Sequence, residues 1–176
     1  MIAEELRGDR VVLRLAGPAD AGILTDIVNS PGVVEWWNEH PYDEILGDVS
    51  ASDETFVLYR IDLAGDEGAV ATVGLIQYSQ ELDPQYVHAG IDIAVLAAHH
   101  RRGVATDAIR TLARHLVDDL GHHRIVIDPA ADNTAAIACY SSLGFRPVGI
   151  MRRYERGRDG TFHDGLLMDL LADELR

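Results

Sequence analysis

The chain has 176 residues, 47% of them hydrophobic, enough for one complete core and short for two. A net charge of −14 and a single cysteine, Cys139, exclude an internal disulfide framework, a Cys-based zinc cluster and a nucleic-acid partner drawn by overall charge. No apolar run approaches the roughly 20 residues that span a bilayer, and residues 1–8 carry two acids where a signal peptide would be basic, so a cytoplasmic protein with no membrane partner is expected, as a monomer or a homodimer.

In chain order, residues 10–15 read as a strand, 18–29 as a helix opened by Pro18 and Asp20, and 32–37 as a second short helix. Residues 55–62 and 69–80 read as strands joined by a hairpin turn over 64–68, whose glycines and acids suit that role. A third central strand is expected over 87–96. From 104 to 120, Ala105, Ala108, Ile109, Leu112, Ala113, Leu116 and Leu120 recur at helical spacing, with Gly121 placed to cap the end. A short strand at 123–128, a helix at 133–143 stopped by Gly144, and strands at 145–154 and 163–171 complete the series. No repeat or linker interrupts it, so 1–176 reads as a single domain of mixed α/β class, antiparallel strands first and β-α-β-α-β afterwards.

The charge is unevenly spread. Residues 1–100 hold 18 acidic and 4 basic side chains, whereas 101–176 hold 11 of each. Between Pro31 and Glu54 lie seven carboxylates (Glu35, Glu39, Asp43, Glu44, Asp48, Asp53, Glu54) and no Arg or Lys. Such a stretch is either a solvated surface or part of a site that attracts cations.

Chemistry gathers further on. The strand ending at Leu96 leads into His100-Arg101-Arg102-Gly103-Val104-Ala105-Thr106, which opens the long helix. At a helix N-terminus the first N–H groups lack intrahelical partners and the dipole favours an anion. Glycine allows close approach of the backbone, and Arg101 and Arg102 add charge-assisted donors. The glycine spacing is neither that of a Walker loop nor that of a dinucleotide fingerprint. Among the eight histidines, His99-His100 and His122-His123 are adjacent pairs whose side chains diverge, so no metal is assigned.

Thirty residues after Gly103 follows Asn133-Thr-Ala-Ala136-Ile-Ala-Cys-Tyr140-Ser-Ser-Leu-Gly144-Phe145. Together the two segments resemble the GNAT N-acetyltransferases, which join an Arg/Gln-x-x-Gly-x-Gly/Ala turn, taking the CoA pyrophosphate, to an Asn-x-x-Ala-x-x-x-Tyr-x-x-x-Gly-Phe segment. His100 stands here where that family has Arg or Gln. The resemblance implies a GNAT fold, with a mixed, mostly antiparallel central sheet splayed to admit acetyl-CoA and helices on both faces. His100 to Thr106 and Asn133 would hold the cosubstrate.

Glu35-Trp36-Trp37, Ala89-Gly90-Ile91-Asp92, Ile127-Asp128-Pro129 and Ala136-Ile137-Ala138-Cys139-Tyr140 resemble the aminoglycoside 6'-N-acetyltransferases within that family. That likeness implies that Asp92 acts on the substrate amine, Tyr140 is the general acid, Asp128 and Asp159 bind substrate ammonium groups, and Trp36 and Trp37 wall the cleft. The chemistry agrees with those types. Attack on a thioester needs an uncharged amine, so a carboxylate beside it can hold the ammonium form and accept its proton, and a tyrosine hydroxyl can serve the departing sulfur. Each residue also has a plain structural reading: Asp92 as the outward residue of an alternating strand, Tyr140 packing on Phe145, and the tryptophans in the core. The expected substrate is a small polycationic amine, an aminoglycoside foremost. The C-terminal Asp159-Gly160-Thr-Phe-His-Asp-Gly stretch is also similar to GNAT enzymes that acetylate protein N-termini, which remains an alternative beside siderophore-lysine acylation and an acyl-CoA-binding or drug-sequestering domain without turnover.

Overall fold

The computed structural model describes residues 2–64 and 70–176. Its strands are β1 (Glu5–Arg7), β2 (Val11–Leu15), β3 (Phe56–Ala64), β4 (Val70–Glu81), β5 (His88–Val95), β6 (Arg124–Ile127), β7 (Arg146–Arg156) and β8 (Phe162–Leu171). They form one sheet in the order β1-β2-β3-β4-β5-β6-β8-β7. Every pairing is antiparallel except β5 with β6. The mixed, mostly antiparallel sheet expected of a GNAT fold is therefore present. Beyond Ala64, the hairpin turn expected over 64–68 lies outside the described residues.

Helices α1 (Ala21–Val28), α2 (Val34–Trp37) and α3 (Tyr42–Ser50) cover one face, burying Leu24, Ile27, Ile45 and Val49 with Leu58, Leu75 and Ala94 of the sheet. Helices α4 (Val104–Arg114) and α5 (Thr134–Leu143) cover the other, where Ala108, Ile109, Leu112 and Leu143 meet Val57, Tyr59, Ile61 and Ile91. Alternation along β3 sends Val57, Tyr59 and Ile61 to one core and Leu58 to the other. In β4 the alternation is broken by a register shift that skips Val73 between the pairs Ile61↔Gly74 and Asp62↔Thr72, so Val73 and Ile76 face the same core.

Helix α4 continues as a wider π turn over His115–Asp119, and Gly121 follows at φ +77, so the expected helix 104–120 is one rod with two windings. Two elements do not follow from the hydrophobic pattern: the three-residue β1, and α3, whose residues are mostly acidic or small. None of the helices formed by described residues is long and apolar enough to cross a membrane.

Candidate active site

The site is built where the sheet comes apart. β5 and β6 share only the pairs Ala89↔Ile125 and Gly90↔Val126; beyond Gly90 they diverge. Leu96 N donates to Val73 O at 2.9 Å, so the even-numbered residues of β5 turn their backbone toward β4 and the odd-numbered ones toward the gap. Carbonyls left without a neighbouring strand need other donors. Trp37 Nε1 supplies one to Ile93 O at 3.1 Å, and a ring nitrogen of His100 supplies one to Val95 O at 2.7 Å. A cleft of about 950 Å³ opens along this edge, lined by residues of α2, β5, the α4 turn, β6 and its following loop, α5 and β7.

On the α4 side, Arg101 and Gly103 lie at φ +57 and +79, a sharp turn that directs the chain into the helix. His100, Arg101, Gly103, Val104, Ala105 and Thr106 line the cleft, and Thr106 Oγ1 lies 3.4 Å from Cys139 Sγ, joining α4 to α5. Arg102 does not line it; its carbonyl accepts from Arg10 Nη1 at 2.6 Å on the outside of the turn. Asn133 lines the cleft and caps α5, its side-chain oxygen accepting from Ala136 N at 3.1 Å.

Asp92 faces the cleft from β5 and is open to it, yet protein surrounds it. Burial and then the nearby Asp128 raise its carboxyl above the ordinary aspartate value, while a hydrogen bond from Gln77 Nε2 at 3.3 Å opposes that shift. Gln77 stands directly across from Asp92 in the sheet register. Tyr140 approaches from α5, only 8% exposed, its ring 6.2 Å from that of Phe145. Burial, followed by Cys139, Asp92 and Asp128, pushes its hydroxyl up and keeps it protonated. The packing expected of Tyr140 and its place in the cleft thus coexist.

Asp128, at the end of β6, also lines the cleft. The hydroxyl of Tyr154 bonds to it, and this pushes the tyrosine up to about 12. Tyr154 and Glu155 are neighbours in sequence and both line the cleft, which a regular strand forbids. β7 is irregular between Met151 and Glu155, with Arg153 at φ +52, and the bulge turns both side chains inward. Burial, then Asp128, raises the Glu155 carboxyl. Gln77, Tyr154, Glu155 and His40 are cleft residues that the sequence motifs do not single out; for Gln77 the alternation of β4 was an available signal, whereas for Glu155 the bulge hides it.

Trp36 and Trp37 both line the cleft, Trp36 exposed and Trp37 partly buried against the α1–α3 core. Asp159 does not line it. That carboxylate sits in the β7–β8 turn, accepts from Thr161 N at 2.9 Å and contacts His163 Nε2 at 3.0 Å, and these bonds lower it to about 2. The seven acids of 31–54 are not brought to the cleft either. Glu35 accepts from Gly32 N at 2.7 Å, Glu39 pairs with Arg158 at 2.9 Å, Glu44 meets His40 at 3.1 Å, and Asp53 accepts from Thr55 N at 2.7 Å. The cleft carboxylates are Asp92, Asp128 and Glu155, two of them from the charge-balanced part of the chain. Among the described residues, no group of three or more His, Cys, Asp or Glu side chains could hold a metal ion.

A sheet opened at a parallel pair, with the α4 N-terminus, the Asp92 carboxylate and the buried Tyr140 along one cleft, agrees with an acyltransferase that takes its acyl group from coenzyme A. A model of the acetyltransferase (GNAT) family matches residues 23–145. The chain belongs to that family and is an acetyl-CoA-dependent N-acetyltransferase. Aminoglycoside N(6')-acetyltransferase type 1 of Klebsiella pneumoniae is 29% identical over 155 residues, 80% of this chain and 76% of that protein. The ribosomal protein bS18-alanine N-acetyltransferase of Escherichia coli (strain K12) is 38% identical over 82 residues, 45% of this chain and 52% of that protein. A crystal structure of aminoglycoside acetyltransferase AAC(6')-Ib in complex with coenzyme A is similar with a TM-score of 0.73 and 25% identity, covering 93% of this chain and 96% of that one.

Proposed function

We propose that the chain, as one acetyltransferase domain over 1–176, acetylates a primary amine of a small polycation, an aminoglycoside at its 6'-amino position foremost, and so confers resistance to that drug. The observation that carries this is the set of three carboxylates, Asp92, Asp128 and Glu155, lining one cleft. Two of them are raised, by burial first and then by the charge of Asp128, and an ammonium group relieves the repulsive part of that cost. The relative from K. pneumoniae supports the choice of amine.

The residues present fit acetyl-CoA. Gly103 begins α4 at φ +79, Arg101 stands beside it, and the Ala-rich side of α5 gives a slot without bulky side chains. Backbone N–H groups of 103–106 with Arg101 would hold its pyrophosphate, and it supplies the activated acyl group. Asp92 holds the incoming ammonium and accepts its proton as the free amine forms, with Gln77 orienting the carboxylate. The rise in its pKa makes it the stronger base once ionised. Tyr140, kept protonated, offers its hydroxyl to the departing sulfur. Asp128 and Glu155 take the further ammonium groups, and Trp36 walls the opening.

Acetylation of protein N-termini is the second reading, favoured by the relative that acetylates alanine of a ribosomal protein. A panel of aminoglycosides, linear polyamines and alanine-terminated peptides, assayed by release of free CoA thiol, separates the two. Turnover confined to the peptides would refute the polycation reading and leave the acetyltransferase in place.

A further inference from the structure

We propose that Arg10 is a positioning residue for the acyl-donor site: it holds the Arg102–Gly103 peptide plane so that the Gly103 N–H faces the cleft. The proposal rests on the reading that the α4 turn takes the pyrophosphate of acetyl-CoA.

The chain of contacts begins one turn inside α4. Asp107, 5% exposed, accepts from Asp9 N at 3.2 Å, Arg10 N at 2.7 Å and Val11 N at 3.1 Å. Three backbone donors on one carboxylate pin the β1–β2 turn to the helix. Gly8 permits the close approach, since a Cβ there would lie 2.4 Å from Thr111 Oγ1 and 2.6 Å from Asp107 Oδ2. From this anchored base the Arg10 side chain runs along the outside of the α4 turn. Its Nη1 lies 2.6 Å from Arg102 O, and a Cβ built on Gly103 would stand 3.8 Å from the same nitrogen.

Carbonyl and N–H of one trans peptide point in opposite directions. Tying the Arg102 carbonyl to Arg10 outside the turn therefore turns the N–H of Gly103 inward, at the positive end of the α4 dipole. Arg102 lies between two residues at positive φ, Arg101 and Gly103, and glycine tolerates either orientation of the plane. Flipped, the peptide would present its carbonyl oxygen to an anion. The guanidinium bond selects between the two orientations, and it explains why Arg102 lies outside the cleft while Arg101 lines it.

The test uses the full chain with Arg10→Met, Gly103→Ala and the double variant, and Arg10→Gln should Arg10→Met fail to fold. CoA affinity is read by calorimetry, and kinetics are compared between acetyl-CoA and S-acetylpantetheine, which lacks the pyrophosphate. Loss of one charge-assisted hydrogen bond should weaken CoA binding and raise the acetyl-CoA KM about 3- to 10-fold, with far less effect on the efficiency with S-acetylpantetheine. The two substitutions should be coupled, because both act on one peptide. Unchanged CoA affinity in Arg10→Met, equal losses with both donors, or additive effects in the double variant would each overturn the proposal; additivity would mean that the Arg10 charge acts at a distance. If Gly103→Ala is also without effect on CoA affinity, the site reading beneath it falls as well.

Discussion

One hydroxyl separates Tyr140 from phenylalanine, and the site makes that atom the only thing to lose: the ring is buried against Phe145 and would pack the same way without it. Tyr140→Phe should slow the chemical step by on the order of 10²-fold or more while leaving CoA affinity intact, as single-turnover kinetics would show. Equal rates in that assay would remove Tyr140 from the mechanism. Asp92 offers a second measurement at this scale. Its raised pKa has burial first and Asp128 second among its causes, so removing the charge of Asp128 must lower it. A base accepts protons only when ionised, and the ionised fraction falls as pH drops through the raised pKa. The plot of log kcat/KM against pH should therefore steepen below that value, and in Asp128→Asn the break should move to lower pH. Gly103 behaves differently from what its sequence position suggests. Its added Cβ would point toward Arg10 and away from the cleft, so a Gly103→Val change would act through backbone strain at φ +79 rather than by blocking the pyrophosphate.

Helix α5 carries Tyr140 and is fixed at both ends, by Asn133 accepting from Ala136 N and by Gly144 at φ +111. Asn133→Ala should cost about 1 kcal/mol of stability, a fall in Tm of about 2–4 °C for a chain of this size; Asn133→Asp keeps an acceptor and should restore most of it. Thermal unfolding of the three proteins checks this. Elements with such punctuation are the ones legible in the sequence. α4 and α5 announce themselves by apolar spacing with a glycine after each, and β5 by its run from Ala89 to Val95. α3 is hidden because only Ile45 and Val49 are buried in it; its signals are Pro41 before the first turn and Asp43 and Glu44 within it, which a count of acids absorbs into one charged stretch. The motifs locate Asp92, Asp128, Tyr140 and the α4 turn because each belongs to a regular element or directly adjoins one, Asp92 and Tyr140 lying within β5 and α5. Glu155 and Tyr154 escape because a bulge decides where they point, and Asp159 lies off the cleft, held within the β7–β8 turn by hydrogen bonds with Thr161 and His163, two and four residues ahead.

At the scale of the whole molecule, the charge of −14 and the three cleft carboxylates act over different distances. Acids outside the cleft contribute a field that salt attenuates over a Debye length of about 8–10 Å, whereas Asp92, Asp128 and Glu155 line the cleft and, on the proposed function, would meet the substrate directly. A substrate with several ammonium groups should therefore lose affinity as salt rises, and Asp128→Asn should raise its KM by about 10-fold and flatten that salt dependence. Asp92→Asn should mainly lower kcat, because it removes the proton acceptor beside the nucleophile. Neutralising Asp43 and Asp48 together, neither of which lines the cleft, should change the salt dependence far less than Asp128→Asn does alone. Steady-state kinetics with one aminoglycoside across a salt series would measure all three. If the α3 acids outweighed Asp128, the substrate would be steered by the acidic surface and not selected by the cleft, and the three carboxylates would lose their place as the determinant of the amine.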